Sequence, residues 1–378
     1  MTEHESSPAK PAAKSVALPP AFLVRAVLGL RAFFLRVADR VVPAQLALGD
    51  QIIGLGRTHA LRAAVRFGIA DRLASGPQTA AALAAEIGVD ADTLHRLLRA
   101  LAAARILRLD RQGRFHNTRL SVALCRGAAR SMADFAEYFG SASNAAAWVD
   151  FEATVRTGAN AFERVHGMSI WDWLERHPDE RSTFAGAMAS LTELEAPILA
   201  KLYPFGELEC LCDVGGGRGT LLAAVLGRHP RLRAVLFESA GVLEVARPYL
   251  AGHGVLERVE LSPGCFFETI PSGCDAYLLK NILHDWDDER CRSILGRCRA
   301  AMSPRAGPQR LLVIEELVER NATTGTGPFA DLQMMTVCCE GRERSREEYA
   351  ALFESSGFAL RRVFGIGAGS SVIEGVAK

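Results

Sequence analysis

Residues 211–226, with the sequence LCDVGGGRGTLLAAVL, constrain the fold of this chain more than any other segment. An apolar stretch ends in Asp213 and Val214, glycines follow at positions 215, 216, 217 and 219, and helix-forming residues continue from Thr220. This pattern predicts a β-strand, a tight turn and a helix, an arrangement that exposes backbone amides to a bound nucleotide. The segment therefore predicts an α/β fold with a nucleotide against its main chain.

The rest of the chain divides into two helical regions and one alternating region. Residues 46–110 have helical periodicity, and LRLDRQGRFHNT after them predicts a hairpin that turns near positions 111–113, so this part resembles a winged-helix module. Residues 120–200 form a second helical stretch. After residue 205 the apolar segments ECLCDV, RAVLFE, DAYLLK and RLLVIEE alternate with helical segments, and SSVIEGVAK closes the chain, which is typical of a sheet with crossover helices.

Composition narrows the class of partner. The 44 basic and 43 acidic residues give a net charge of +1, which argues against nucleic acid as the main ligand. The nine cysteines include no pair at zinc-knuckle spacing, and we interpret them as reduced thiols in the cytoplasm. Residues 1–20 predict a disordered tail. Arginines interrupt the apolar segment AFLVRAVLGLRAFFLRVADRVV, which favours a helix packed on a partner subunit over membrane-surface binding or a span.

The turn itself discriminates between nucleotides. In a dinucleotide fingerprint the third glycine follows the second by three residues, and here that place is Thr220. Asp213 lies just before the turn and would repel a pyrophosphate, whereas it suits the ammonium and sulfonium of S-adenosylmethionine. Glu238 ends the next predicted strand, where a carboxylate accepts hydrogen bonds from both ribose hydroxyls.

The residues that favour chemistry follow other strands. His284 comes after the strand DAYLLK, Glu315 ends RLLVIEE, and Glu343 lies in the loop GRERS. A neutral imidazole takes a proton from a hydroxyl near neutral pH, and a carboxylate beside it fixes the tautomer and stabilises the imidazolium. The acidic run from Asp285 to Glu289 admits a metal site, but its spacing favours capping of the following helix.

The motifs DVGGGRG, LKNILHDWDDE, DLQMM and GRERS closely resemble the S-adenosylmethionine-dependent small-molecule O-methyltransferases of the caffeic acid and hydroxyindole type, including bacterial relatives that methylate secondary metabolites. The resemblance implies a Rossmann-like class I methyltransferase sheet of seven strands, the last antiparallel, behind a helical, winged-helix-like dimerisation domain, and metal-independent chemistry in a homodimer. The implied divisions are a dimerisation domain at 21–130 and a methyltransferase domain at 131–378, with a helical substrate-pocket segment at 131–205 and a core at 206–378.

The resemblance also implies roles for individual residues. His284 matches the catalytic base, flanked by Glu315 and Glu343. The residues expected at the cofactor are Asp213, Gly215, Gly217, Glu238, Cys265, Phe266 and Lys280. The residues expected at the substrate pocket are Trp148, Phe184, Met188, Asp285, Met334 and Cys338. Cys265 stands where the family usually has an acid that binds the adenine amino group, and Asp331 matches the acid of the family's DL motif.

Three functions are compatible with these features. The first is O-methylation of a hydroxyl on a small aromatic or enolic metabolite, with His284 as the base. The second keeps the cofactor but uses its positive charge for decarboxylation or hydroxylation. The third is a dimeric regulatory protein that binds DNA through the winged-helix module. The complete set of His284, Glu315 and Glu343 favours the first, and the neutral overall charge disfavours the third.

Overall fold

The computed structural model describes residues 21–302, 309–323, 325–338, 340–367 and 369–378, so the predicted tail at 1–20 lies outside the described residues. The helices are α1 (Ala21–Val41), α2 (Ala44–Ile52), α3 (Gly54–Arg66), α4 (Ile69–Arg72), α5 (Ala80–Ile87), α6 (Ala91–Ala103), α7 (Arg119–Val122), α8 (Ala133–Phe139), α9 (Ala142–Val149), α10 (Phe151–Thr157), α11 (Ala161–His166), α12 (Ile170–Arg176), α13 (Pro178–Leu202), α14 (Thr220–Arg228), α15 (Ala240–Gly252), α16 (Asp288–Ala301), α17 (Gly327–Val337) and α18 (Arg346–Ser355). The strands are β1 (Gln78–Thr79), β2 (Leu107–Leu109), β3 (Arg114–Asn117), β4 (Cys210–Val214), β5 (Arg233–Glu238), β6 (Val259–Pro263), β7 (Ala276–Lys280), β8 (Arg310–Glu316), β9 (Phe358–Gly365) and β10 (Ser370–Ala377).

The large sheet has seven strands in the order β6-β5-β4-β7-β8-β10-β9. Neighbours from β6 to β8 pair in parallel, whereas β10 pairs antiparallel with both β8 and β9. The predicted fold class is therefore confirmed. Strands β4, β7 and β8 are almost wholly buried, because helices cover both faces of the sheet and leave no room for the polar alternation of a solvated strand.

The sheet brings the predicted site residues to one edge. Strands β4, β5, β7 and β8 run in parallel, so the glycine turn, Glu238, the segment that carries His284, and Glu315 all follow or end strands on the same side. In the turn, Gly215 and Gly217 have φ values of 71° and 56°, a region that side chains with a Cβ rarely adopt. The strand, turn and helix predicted for residues 211–226 are confirmed.

The N-terminal part contains a small three-stranded sheet, β1-β3-β2, packed with α5 and α6. Strands β2 and β3 form the predicted hairpin. Asp90 caps α6 through a 2.8 Å hydrogen bond from the backbone N–H of Thr93. The leucines at 94, 98 and 101 are buried, so the periodicity of this helix marks its core-facing side, as predicted.

Helices α1 and α2 leave many apolar side chains exposed in the single chain. The large ones are Leu23, Val27, Leu28, Leu30, Phe33, Phe34, Leu35, Val37, Val41, Leu46, Leu48 and Ile52. In the part of the chain that the structure describes, no helix combines the length and the apolar character needed to cross a membrane.

Candidate active site

Glu238 at the end of β5 is tied to the glycine turn. Its carboxylate accepts hydrogen bonds from the backbone N–H of Gly217 at 3.2 Å and of Ser239 at 2.7 Å. Burial raises the pKa of this carboxyl, and the backbone bonds oppose that shift. The carboxylate is thus fixed beside a turn whose Gly217 has open space where a Cβ would stand.

Asp213 lies beneath the same turn and is 1% exposed. Its Oδ2 atom has no hydrogen-bond partner, and burial together with the nearby charge of Glu238 raises its pKa to about 7, whereas Lys280 opposes the shift. A Cβ on Gly216 would lie 2.4 Å from that Oδ2, so glycine is required there. A buried carboxylate with a free oxygen suits a cationic ligand, which fits the ammonium and sulfonium of S-adenosylmethionine.

Lys280, at the end of β7, is held by a carboxylate that the sequence did not single out. Its Nζ lies 2.9 Å from Oε2 of Glu195 on α13, and the hydroxyl of Ser370 donates to the other oxygen of Glu195 at 2.5 Å. Both members of this ion pair are almost fully buried. Because Glu195 comes from a helix distant in sequence, its pairing with Lys280 depends on tertiary packing.

Phe266, which the resemblance predicts to cover the adenine, lies beside the glycine turn. A Cβ on Gly215 would lie 3.7 Å from the ring of Phe266 and 2.6 Å from Cδ1 of Ile282. The neighbouring Cys265 is exposed. The structure thus brings Phe266 to the turn, and Cys265 lies next to it in the chain.

His284 lies in the single 3₁₀ turn Leu283–Asp285 that follows β7. Its Nδ1 atom is 2.8 Å from Oε1 of Glu343 and 3.3 Å from Oε2 of Glu315. Burial disfavours the charged imidazole, but the two carboxylates prevail and hold the pKa of His284 well above its ordinary value. The three residues predicted to act together are therefore brought together.

The carboxylate of Glu315 and the backbone of Glu343 are themselves held by hydrogen bonds. Oε1 of Glu315 accepts hydrogen bonds from the backbone N–H of Ile282 at 3.1 Å and of Leu283 at 3.0 Å. Burial raises the pKa of Glu315 to about 7, against the opposing charge of His284. The backbone N–H of Glu343 donates to Oδ1 of Asp331 at 2.8 Å, so the acid of the DL motif holds the backbone of Glu343 in place.

Arg344 is a further residue of this site that sequence reasoning missed. It is 1% exposed, and its guanidinium donates to the backbone carbonyls of Leu283 at 2.9 Å and Trp286 at 2.8 Å, on either side of His284. It also binds the carboxylate of Asp288 at 2.8 Å. Its position directly after Glu343 in GRERS was the available signal. One short loop thus holds both the ring and the backbone of the turn that carries His284.

Two acids of the run after His284, Asp285 and Asp287, have different roles. Asp287 caps α16 through a 2.7 Å bond from the backbone N–H of Arg290, which agrees with the predicted capping. Asp285 does not cap the helix; it is 8% exposed, and its Oδ1 lies 3.7 Å from Nε2 of His284. Burial raises the pKa of Asp285 to about 6, opposed by His284. Asp285 therefore lies on the side of the ring opposite Glu343.

Four of the predicted pocket residues lie on α9, α13 and α17, Cys338 directly follows α17, and Asp285 lies in the turn that carries His284. The ring of Phe184 packs edge-on against Tyr138 at 5.1 Å and against Trp171 at 5.9 Å. The indole N–H of Trp148 donates to Gln333 at 2.8 Å. Met188 and Met334 are half-buried and Cys338 is buried. Tyr138, Trp171 and Gln333 were not identified from the sequence, because no local pattern separates them from ordinary core residues.

Comparisons with known proteins identify the family of this chain. A model described as the O-methyltransferase domain matches residues 148–359, and one described as the O-methyltransferase dimerisation domain matches residues 51–127. The mitomycin biosynthesis 6-O-methyltransferase of Streptomyces lavendulae is 39% identical over 327 residues, which cover 86% of this chain and 92% of that protein.

Solved structures give the same result. The crystal structure of LaPhzM superposes with a TM-score of 0.85 at 35% identity and covers 89% of this chain and 100% of its own. Human N-acetylserotonin methyltransferase in complex with S-adenosylmethionine superposes with a TM-score of 0.82 at 25% identity and covers 89% of this chain and 98% of its own.

Proposed function

Since this chain belongs to the O-methyltransferase family, we propose that it methylates a hydroxyl group of a small aromatic or enolic metabolite and that His284 is the general base. The observation that carries the proposal is the pair of carboxylates on one side of the ring, 2.8 Å and 3.3 Å from Nδ1. Because they hold the Nδ1 proton, the opposite nitrogen, Nε2, is the atom that would receive the substrate proton.

The methyl donor in this proposal is S-adenosylmethionine, which when bound supplies a methyl group on a sulfonium that is its own leaving group. Asp213 would hold the cationic part, Glu238 the ribose hydroxyls, and Phe266 the adenine, while Gly215 and Gly217 allow close approach to the backbone. Lys280 would complete the site from the end of β7. This assignment is supported by the unpartnered oxygen of Asp213 and by the carboxylate of Glu238 fixed at the turn.

The protein residues then have two tasks: they accept the proton of the substrate hydroxyl, and they hold the oxygen of that hydroxyl in position. Nε2 of His284 accepts the proton of the substrate hydroxyl as the new bond to carbon forms, a contribution of about 100-fold to 10,000-fold in rate. The imidazolium that results lies against Glu343 and Glu315, whose negative charges stabilise it. Asp285, 3.7 Å from Nε2, lies where it would hold the incoming hydroxyl in position.

We propose that this reaction needs no metal. One ligand atom from each of His284, Glu315 and Glu343 lies within 4.8 Å of the others, a spacing that would also hold a divalent cation. The two roles exclude each other, because a cation bound to Nδ1 would replace the proton that Glu343 accepts. Full activity after dialysis against a chelator would support the base; activity that returns only with added divalent metal would contradict it.

We further propose that the enzyme is a homodimer assembled through residues 21–130, with the pocket built from 131–205 and α17. The match to a dimerisation domain and the apolar side chains exposed on α1 and α2 support this arrangement. Sedimentation velocity of the full chain measures the oligomer directly.

Incubation with deuteromethyl-labelled S-adenosylmethionine tests the proposed reaction. An extract of the host that produces the protein would be incubated with the enzyme and analysed by mass spectrometry. A metabolite that gains one labelled methyl group on oxygen would support the proposal and identify the acceptor. A metabolite that instead loses carboxylate or gains oxygen, with no label transferred, would favour the non-methylating reaction.

A further inference from the structure

Ten buried side-chain polar atoms among the described residues make no hydrogen bond. Four of them belong to Asp213, Lys280, Glu315 and Glu343, and those of Lys280 and Glu315 are instead in ion pairs with Glu195 and His284. A fifth is the indole nitrogen of Trp171. A buried donor that makes no bond destabilises the folded state, so the unpaired N–H of Trp171 calls for an explanation.

Trp171 on α12 lies between the base and the proposed pocket wall. Its ring stacks on Trp286 with centroids 5.6 Å apart and an interplanar angle of 27°, and Trp286 is two residues beyond His284. The ring also meets Phe184, with centroids 5.9 Å apart and an interplanar angle of 77°. The unpartnered N–H is therefore carried by a ring that connects the catalytic turn to α13.

Tryptophan at this position combines a packing role with a buried donor. Phenylalanine would keep an aromatic ring near Trp286 and Phe184, with fewer atoms in contact, and would bury no donor. Trp173, two residues along the same helix, shows how the chain satisfies an indole elsewhere: its N–H donates to Glu180 at 3.1 Å. Of these two indoles on one helix, only Trp173 has a partner for its N–H, so the missing partner of the Trp171 N–H requires an explanation.

We propose that Trp171 is a specificity-determining residue whose indole N–H donates a hydrogen bond to a carbonyl or carboxylate oxygen on the acceptor substrate. This inference rests on the proposed function and narrows its substrate class to hydroxyaromatics that carry such an oxygen. The donor belongs to the helical region that contributes Phe184, whereas the proposed cofactor contacts come from the strand ends of the sheet. The partner of the N–H is therefore assigned to the substrate.

Binding of two probes to Trp171→Phe tests the assignment. The probes are 3-hydroxy-2-naphthoate and 2-naphthol, which share a bicycle and a hydroxyl but differ in the carboxylate, and binding is measured calorimetrically to the full-length protein saturated with S-adenosylhomocysteine. The variant should bind the naphthoate about 10-fold more weakly, which is the loss of one hydrogen bond, and 2-naphthol within about twofold of the wild type. Because no turnover is measured, failure of His284 as the base would not affect this result.

Trp173→Phe is the matched control, since it removes a paired N–H from the same helix and should leave the ratio of the two affinities unchanged. Trp171→His, which keeps a ring N–H, should retain part of the preference for the naphthoate. An equal loss for both probes, a loss of S-adenosylhomocysteine affinity, or no binding of the naphthoate to the wild type would overturn the proposal.

Discussion

Oε1 of Glu343 lies 2.8 Å from Nδ1 of His284, and the backbone N–H of Glu343 is in turn bound by Asp331. The imidazole therefore has one nitrogen fixed by the protein and the other directed away from Glu343, toward Asp285. This relationship determines which nitrogen is available to a substrate. It also makes the proton affinity of the ring depend on Glu343 and Glu315, which do not touch the substrate hydroxyl in our mechanism.

The first prediction concerns pH. Only neutral His284 accepts a proton, so kcat/KM should fall as the pH falls through its pKa, and the carboxylates raise that pKa above the ordinary 6.5. Glu343→Gln removes one negative charge and should move the acid limb of the profile to lower pH by about one unit. Profiles of kcat/KM from pH 5 to 9, measured for the wild type and the variant, test this prediction. An acid limb at the same pH in both proteins would show that Glu343 does not raise the pKa of His284.

The second prediction concerns the cofactor. Glu238→Ala should weaken the binding of S-adenosylmethionine by about 1.5 to 3 kcal/mol, because hydrogen bonds to a charged group are lost. Titration calorimetry measures this loss, with Glu244→Ala as the control, since Glu244 is an exposed acid on the helix that follows. Equal affinities for the Glu238 variant and the wild type would place the ribose elsewhere.

The third prediction concerns Arg344, a positioning residue. Lysine lacks the planar fork that reaches the carbonyls of Leu283 and Trp286 together, so Arg344→Lys should loosen the turn that carries the base. We expect kcat to fall by about 10-fold or more while the affinity for S-adenosylmethionine stays within about twofold. Loss of cofactor affinity in proportion to kcat would indicate a general structural defect instead.

Arg342→Lys is the control for that experiment. The side chain of Arg342 is exposed and binds Glu348, whereas its backbone N–H donates to the carbonyl of His284 at 2.8 Å. Because the substitution keeps the backbone bond, activity should be nearly that of the wild type. A fall in kcat equal to that of the Arg344 variant would show that any change in this loop lowers activity.

Much of the site follows from the order of the strands. His284 and Glu315 were predicted to meet because the carboxyl ends of parallel strands lie at one edge of a sheet, and the glycine pattern fixed the position of Asp213 relative to them. The roles of Asp285 and Asp287 were harder to separate, since they are two residues apart in one acidic run. The structure shows that Asp287 caps α16 and that Asp285 is buried beside His284.

Other contacts could not be predicted from the sequence, for a physical reason. Glu195 pairs with Lys280, and Gln333 with Trp148, across 85 and 185 positions of the chain. No periodicity encodes such pairs, because they depend on how α13 and α17 pack against the sheet and α9. The resemblance to a family supplied residue roles, but not these partners.

Single-turnover methyl transfer by His284→Ala tests the central claim most directly, with the cofactor affinity measured on the same samples. If His284 is the base, the rate of methyl transfer should fall by at least about 100-fold, while the dissociation constant of S-adenosylmethionine stays nearly unchanged. A variant that transfers the methyl group at the rate of the wild type would contradict the account.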